Sequence, residues 1–100
     1  MANVTKLIVN HPLVGTWTSP EDTTVEFTVV STGAGLSVRG RDRSDGEEFE
    51  ISQVSWDGET LSFTSVMPST GHRVRHVMRA LPEGKFLEHE YTLTELWHRE

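Results

Sequence analysis

Apolar and polar residues alternate along most of this chain, in Val25-Phe27-Val29, Leu36-Val38, Phe49-Ile51, Leu61-Phe63, Val74-Met78-Ala80 and Leu87-Tyr91-Leu93. A period of two puts one set of side chains on one face of a β-strand and the rest on the other. Helix-period stripes of useful length do not occur. Turn formers punctuate the chain at Pro20-Glu21-Asp22, Thr32-Gly33-Ala34-Gly35, Asp45-Gly46, Asp57-Gly58, Pro68-Ser69-Thr70-Gly71 and Pro82-Glu83-Gly84. These six signals separate seven short segments rich in Val, Thr, Phe and Trp, the signature of an antiparallel meander. Residues 1–100 therefore predict a single all-β domain, an up-and-down meander of seven or eight strands closed or nearly closed into a small barrel.

Registers follow from requiring both strands of a hairpin to bury their apolar faces together. A four-residue loop at 82–85 pairs Ala80 with Leu87, Met78 with His89, His76 with Tyr91 and Val74 with Leu93 on one face. The other face then sets Arg79 opposite Glu88 and Arg75 near Glu90. At Asp45-Gly46 a two-residue type I′ turn, which needs positive φ at both central positions, pairs Arg43 with Glu48, Arg41 with Glu50 and Gly40 with Ile51. A two-residue turn at Asp57-Gly58 conflicts with its surroundings: it turns Val54, Leu61 and Phe63 outward if Phe49 and Ile51 point inward. Either a β-bulge between Ile51 and Val54 switches the facing, or Val54, Trp56, Leu61 and Phe63 form an exposed patch, a candidate dimer interface. The predicted inner set runs from Trp17 and Val25 through Phe63, Met67, His76 and Met78 to Leu93 and Trp97. The first twelve residues are expected to form a short segment closing one end of the barrel.

Composition narrows the functional classes. A net charge of −6 in 100 residues opposes general nucleic-acid binding. Six of the seven arginines fall in two tight groups, and the registers give them glutamate partners. The chain contains no cysteine, so thiolate chemistry and disulfides are excluded. Val4 to Val9, interrupted by Lys6, is too short an apolar run for a secretion signal, and no segment approaches membrane-spanning length. A cytoplasmic protein without a membrane partner is expected by default.

The polar exceptions on the inner face are His76, His89 and Tyr91, with Phe63 and Met78 beside them. These five are the candidate ligand-binding residues: Tyr91 would donate a hydrogen bond while the imidazoles orient a polar head group. The bland alternative is that the polar groups satisfy one another. Two imidazoles without a nearby carboxylate or thiolate are a thin ligand set for zinc, and His72 lies about 13 Å along the strand from His76, so neither metal nor haem is expected. His11 and His98 are read as surface residues. No Gly-X-Ser-X-Gly elbow occurs, and the paired carboxylates lie beside arginines on outer faces. No catalytic residue is assigned and the balance leans away from an enzyme.

Leu13-Val14-Gly15-Thr16-Trp17 reads as the floor of a small barrel, with Gly15 permitting close approach. Together with the meander and the final segment Tyr91–Arg99, this stretch resembles the lipocalin-like (calycin) proteins, and among them small bacterial domains of unassigned function. The resemblance implies a ligand-holding barrel in which Trp17 packs against Arg99, making Gly15, Trp17 and Arg99 structural. The expected function is a small non-enzymatic binding module holding a small apolar ligand with a polar head inside the barrel, without a cofactor. The alternative is a packed barrel acting as a dimerisation or protein-interaction unit, with a histidine-based metal or haem protein or enzyme last. Either a monomer or a homodimer fits.

Overall fold

The computed structural model describes residues 11–33 and 35–100, which form seven strands: β1 (Gly15–Thr18), β2 (Val25–Thr32), β3 (Gly35–Asp42), β4 (Glu50–Trp56), β5 (Thr60–Val66), β6 (Arg73–Ala80) and β7 (Leu87–Thr94). No helix occurs among the described residues. Each strand pairs antiparallel with its sequence neighbour, in a three-stranded sheet β1-β2-β3 and a four-stranded sheet β4-β5-β6-β7. A narrow neck joins the two: Arg41 bridges Glu48, the Phe49 amide donates to the Gly40 carbonyl, and the Asp42 amide donates to Glu47.

The meander is thus as the alternation predicts, but no closed barrel forms among the described residues. Among the described residues β1 and β7 are edge strands that do not pair with one another. β1 offers only four residues against the eight of β7, too short a partner to zip the final strand along its length. The expected closing segment falls, over residues 1–10, outside the described residues.

Where the strands do pair, loop chemistry sets the register. The 82–85 loop gives the pairs expected, from Ala80 with Leu87 to Val74 with Leu93. The Asp45-Gly46 loop does not. Gly46 has positive φ (77°) but Asp45 does not, so a type I′ turn cannot form. Instead the Asp42 carboxylate accepts from the Ser44 amide and hydroxyl, and Asp45 accepts from the Glu47 amide. These aspartate turns widen the loop and slide the register by two residues, so Arg41, not Arg43, lies opposite Glu48. Arg39 takes Glu48 as its ion partner, while Arg41 and Arg43 both reach Glu26 on β2. The Arg41 guanidinium holds the Glu26 carboxyl below the usual carboxylate range.

The conflict at Asp57-Gly58 resolves through a bulge. The β4–β5 register shifts between Ser52 and Ser55, and Gln53 adopts a left-handed conformation (φ 53°). The extra residue brings Ile51 and Trp56 to the same face although their parity differs. Leu61 and Phe63 are consequently fully buried, Trp56 is partly buried, and only Val54 stays exposed. Val54, Trp56, Leu61 and Phe63 therefore do not form one exposed patch, because Leu61 and Phe63 are core.

The core lies between the sheets: Leu13, Phe27, Val29, Leu36 and Val38 from one side, Leu61, Phe63 and Met78 from the other. Phe27 is the hinge of this packing, its ring 5.2 Å from Phe63, 4.8 Å from His76 and 5.8 Å from Phe49. Gly40 makes room for it, since a Cβ there would sit 2.6 Å from the Phe27 ring and 3.0 Å from Phe49. Gly15 behaves differently from expectation. Among the described residues a Cβ at Gly15 would meet nothing within 4 Å, and its φ of 143° is the reason for glycine.

Trp17 packs against the core as expected, but its indole N–H donates to the Leu13 carbonyl at 2.8 Å. Arg99 makes no cation–π contact with it. Trp17 lies on β1 and Arg99 follows β7, two edge strands that do not pair with one another among the described residues. His11 is not a bare surface residue: its ring stands edge-on to Trp56 at 4.5 Å and its Nδ1 accepts the Leu13 amide.

Candidate functional site

β5, β6 and β7 place four rings side by side on the inner face, one or more per strand. Phe63 on β5 pairs with His76 on β6, which pairs with Tyr91 on β7, while His89 lies diagonally one step away. Cross-strand neighbours at these separations are within reach for rings. The result is a continuous stack. Phe63 and His76 are 4.5 Å apart and 16° from parallel, His76 and His89 are 5.1 Å apart, and His89 and Tyr91 are 5.4 Å apart.

This stack runs from the core to the surface. Phe63 is fully buried and His76 nearly so, at 4% exposure, whereas Tyr91 is 65% exposed. Met78 is also core. The five candidate residues thus do lie together, but they form a gradient rather than the wall of an enclosed pocket. Leu93 and Trp97, expected inside, are exposed beyond Tyr91, Trp97 at 88%.

A hydrogen-bonded chain threads the stack. Ser65 Oγ lies 2.7 Å from His76 Nε2, and His76 Nδ1 lies 2.9 Å from His89 Nε2. Two neutral imidazoles share one hydrogen between them, so the chain runs either way. His76 donates to His89 and accepts from Ser65, or His89 donates to His76, which donates to Ser65. In the first arrangement the remaining His89 nitrogen, Nδ1, is a donor, and in the second an acceptor. No protein group among the described residues binds that nitrogen.

Burial keeps both rings neutral. Loss of water, then the neighbouring His89 and Arg75, push the His76 pKa down to about 3. His89 is also lowered, by the shielding of its ring within the stack, although its strand is exposed. Ser65 was not foreseen as a member. Its position was readable in retrospect, because it continues the Leu61-Phe63 alternation and pairs with Val74 beside His76. A serine bonded to an imidazole that is itself bonded at its far nitrogen has the connectivity of an activated nucleophile. Here, however, Ser65 is buried and presents no open face to a substrate. The network is a satisfied polar core, and no buried side-chain polar atom among the described residues lacks a partner.

His72 approaches Glu95 at 4.0 Å near the end of the β6–β7 hairpin, as the register implies. Among the described residues no group of three or more His, Asp or Glu side chains converges on one point, and no helix is long and apolar enough to cross a membrane. No protein-family model, no curated protein and no solved structure matches this chain.

Proposed function

We propose that this chain is a small non-enzymatic binding module of lipocalin-like type. It takes a flat apolar ligand with a polar head on the open inner face of β7 rather than inside a closed barrel. The observation that carries this reading is the ring stack, which begins in the core at Phe63 and ends on the exposed face of Tyr91. A flat ligand adds the next rung, gaining offset stacking on Tyr91 and apolar contact with Leu93. The Tyr91 hydroxyl meets the head group, and His89, stacked on the other face of Tyr91, holds that ring in place. Phe63, His76 and Met78 support the platform from below without touching the ligand. The test is a titration with 2-naphthol, followed by fluorescence and melting temperature. Saturable binding that raises the melting temperature as RT ln(1 + [L]/Kd), and that Tyr91→Ala removes, is the expected result. Saturation unchanged in Tyr91→Ala, or no saturation, overturns the reading.

A second reading, as a unit that pairs with another copy of itself, is favoured by a separate observation. The Leu81 amide bonds the Phe86 carbonyl, which fixes the alternation along the hairpin. Residues 88, 90, 92 and 94 bond β6, while the backbone groups of 87, 89, 91 and 93 point out from the sheet edge. An antiparallel second copy centred on Thr92 sets Tyr91 opposite Leu93 and His89 opposite Glu95, with no carboxylate facing another.

A further inference from the structure

The outward face of the four-stranded sheet carries a second feature, independent of the ring stack. Arg39, Arg41, Arg43 and Arg79 each have a glutamate partner. Among the described residues Arg73 and Arg75 have none, although Glu90 is the next outward residue of β7 beyond Thr92. Their register neighbours are uncharged instead: Arg75 lies between Thr64 and Thr92, and Arg73 between Val66 and Thr94. In a chain of net charge −6, two uncompensated arginines side by side on one strand face need a reason.

The surface there is shaped. Gln53, Thr64, Arg73, Arg75, Thr92 and Thr94 line an open depression of about 310 Å³. Gln53 is the left-handed residue of the β4 bulge, and its strained backbone aims two groups inward. Its carbonyl accepts from Arg75 Nη1 at 3.0 Å, and its side-chain Oε1 accepts from the Thr64 hydroxyl, which in turn accepts from Arg75 Nη1 at 3.1 Å. One edge of the Arg75 guanidinium is thereby anchored. Its Nε and Nη2 hydrogens have no protein acceptor among the described residues, and neither has the Arg73 fork.

We propose that Arg73 and Arg75 form a binding site for a phosphate-type oxyanion, either inorganic phosphate or the terminal phosphate of a small ester. Outward residues two apart on a strand are separated by about 7 Å, a spacing that lets two guanidinium forks close on one tetrahedral group. Thr92 and Thr94 supply hydroxyl donors to the remaining oxygens. Charge-assisted, bidentate contacts of this kind are the strongest hydrogen bonds that side chains make. A polyanion does not fit, because Glu88 and Glu90 stand on the same face of β7 and would repel its flanking charges.

The test is an NMR titration with inorganic phosphate, ionic strength being held constant by exchange against sodium chloride. The wild type is expected to show saturable shifts at the Arg73 and Arg75 Nε–H groups and at the Thr92 and Thr94 amides. Arg73→Ala, an exposed position, weakens binding by about tenfold or more, while Arg79→Ala, at an ion-paired neighbour, leaves it unchanged. A parallel titration with glycerol 3-phosphate separates the sources: tighter binding than phosphate assigns the site to an ester, weaker binding to the free anion. Shifts that do not saturate at constant ionic strength, or that persist equally in Arg73→Ala, overturn the proposal.

Discussion

At the scale of single residues, two positions govern the core. Gly40 is buried and has an ordinary backbone conformation, so its role is space alone: the Phe27 and Phe49 rings occupy the volume of its missing Cβ. Gly40→Ala is expected to destabilise the fold by about 1–3 kcal/mol through overpacking. Gly33→Ala, where a Cβ meets nothing, should stay within about 0.5 kcal/mol. Urea denaturation of the two variants beside the wild type checks both. Equal effects at the two positions would remove the packing argument. His76 governs the response to acid. Its pKa is near 3 in the native protein and that of an ordinary histidine, 6.5, when unfolded. The unfolded chain therefore binds more protons between these values, and stability falls as pH drops from 6.5 toward 3 while staying level above. His76→Phe is expected to lose about 1–3 kcal/mol at neutral pH, because Ser65 is left buried without its partner. It should nevertheless lose less than the wild type on going from pH 7 to pH 4.5. Denaturant midpoints at the two pH values measure this, and an acid response as steep as that of the wild type would exclude His76 as its source.

At the scale of the strand, legibility tracked how many independent signals agreed. The β6–β7 hairpin could be read residue by residue because loop length, apolar alternation and the Arg79–Glu88 pair all require one register. The β4 bulge was detectable as a conflict between parities, though not its location at Gln53, a residue with no sequence mark for a left-handed conformation. The Asp45-Gly46 loop misled because aspartate serves two kinds of turn, and side-chain acceptance of backbone amides prevailed over paired positive φ. β7 itself carries no bulge or proline to blunt its edge, and Lys85, the only lysine near it in sequence, lies in the loop before it. If this edge pairs with a second copy, Leu93→Pro removes an outward amide without touching a β6 bond, as an edge strand tolerates. The expected outcome is a wild type that sediments as a dimer at high concentration and a folded, monomeric variant. A wild type that stays monomeric at millimolar concentration would discard the pairing.

At the scale of the whole molecule, closure was the property the sequence could not convey. Alternation reports which face of a strand is covered, not whether the last strand returns to the first. The same pattern that placed His89, Tyr91, Leu93 and Trp97 inward holds for an open meander, where that inner side faces solvent at β7. The candidate residues were therefore legible as neighbours on one face, while their graded exposure was not. The arginines show the reverse case: their clustering was visible, but only the structure separated the four with carboxylate partners from the two without. The open topology also bears on how the chain acquires its fold. Every ladder joins strands consecutive in sequence, so each hairpin can zip from its own turn, and the described strands never need to bring their two ends together. Loop-closure entropy, the slow element in assembling most all-β domains, is thereby confined to short segments. What must be assembled from distant parts of the chain is the docking of one sheet on the other, Phe27 onto Phe63 and His76 with His11 against Trp56, and on these contacts the cooperativity of the two sheets depends.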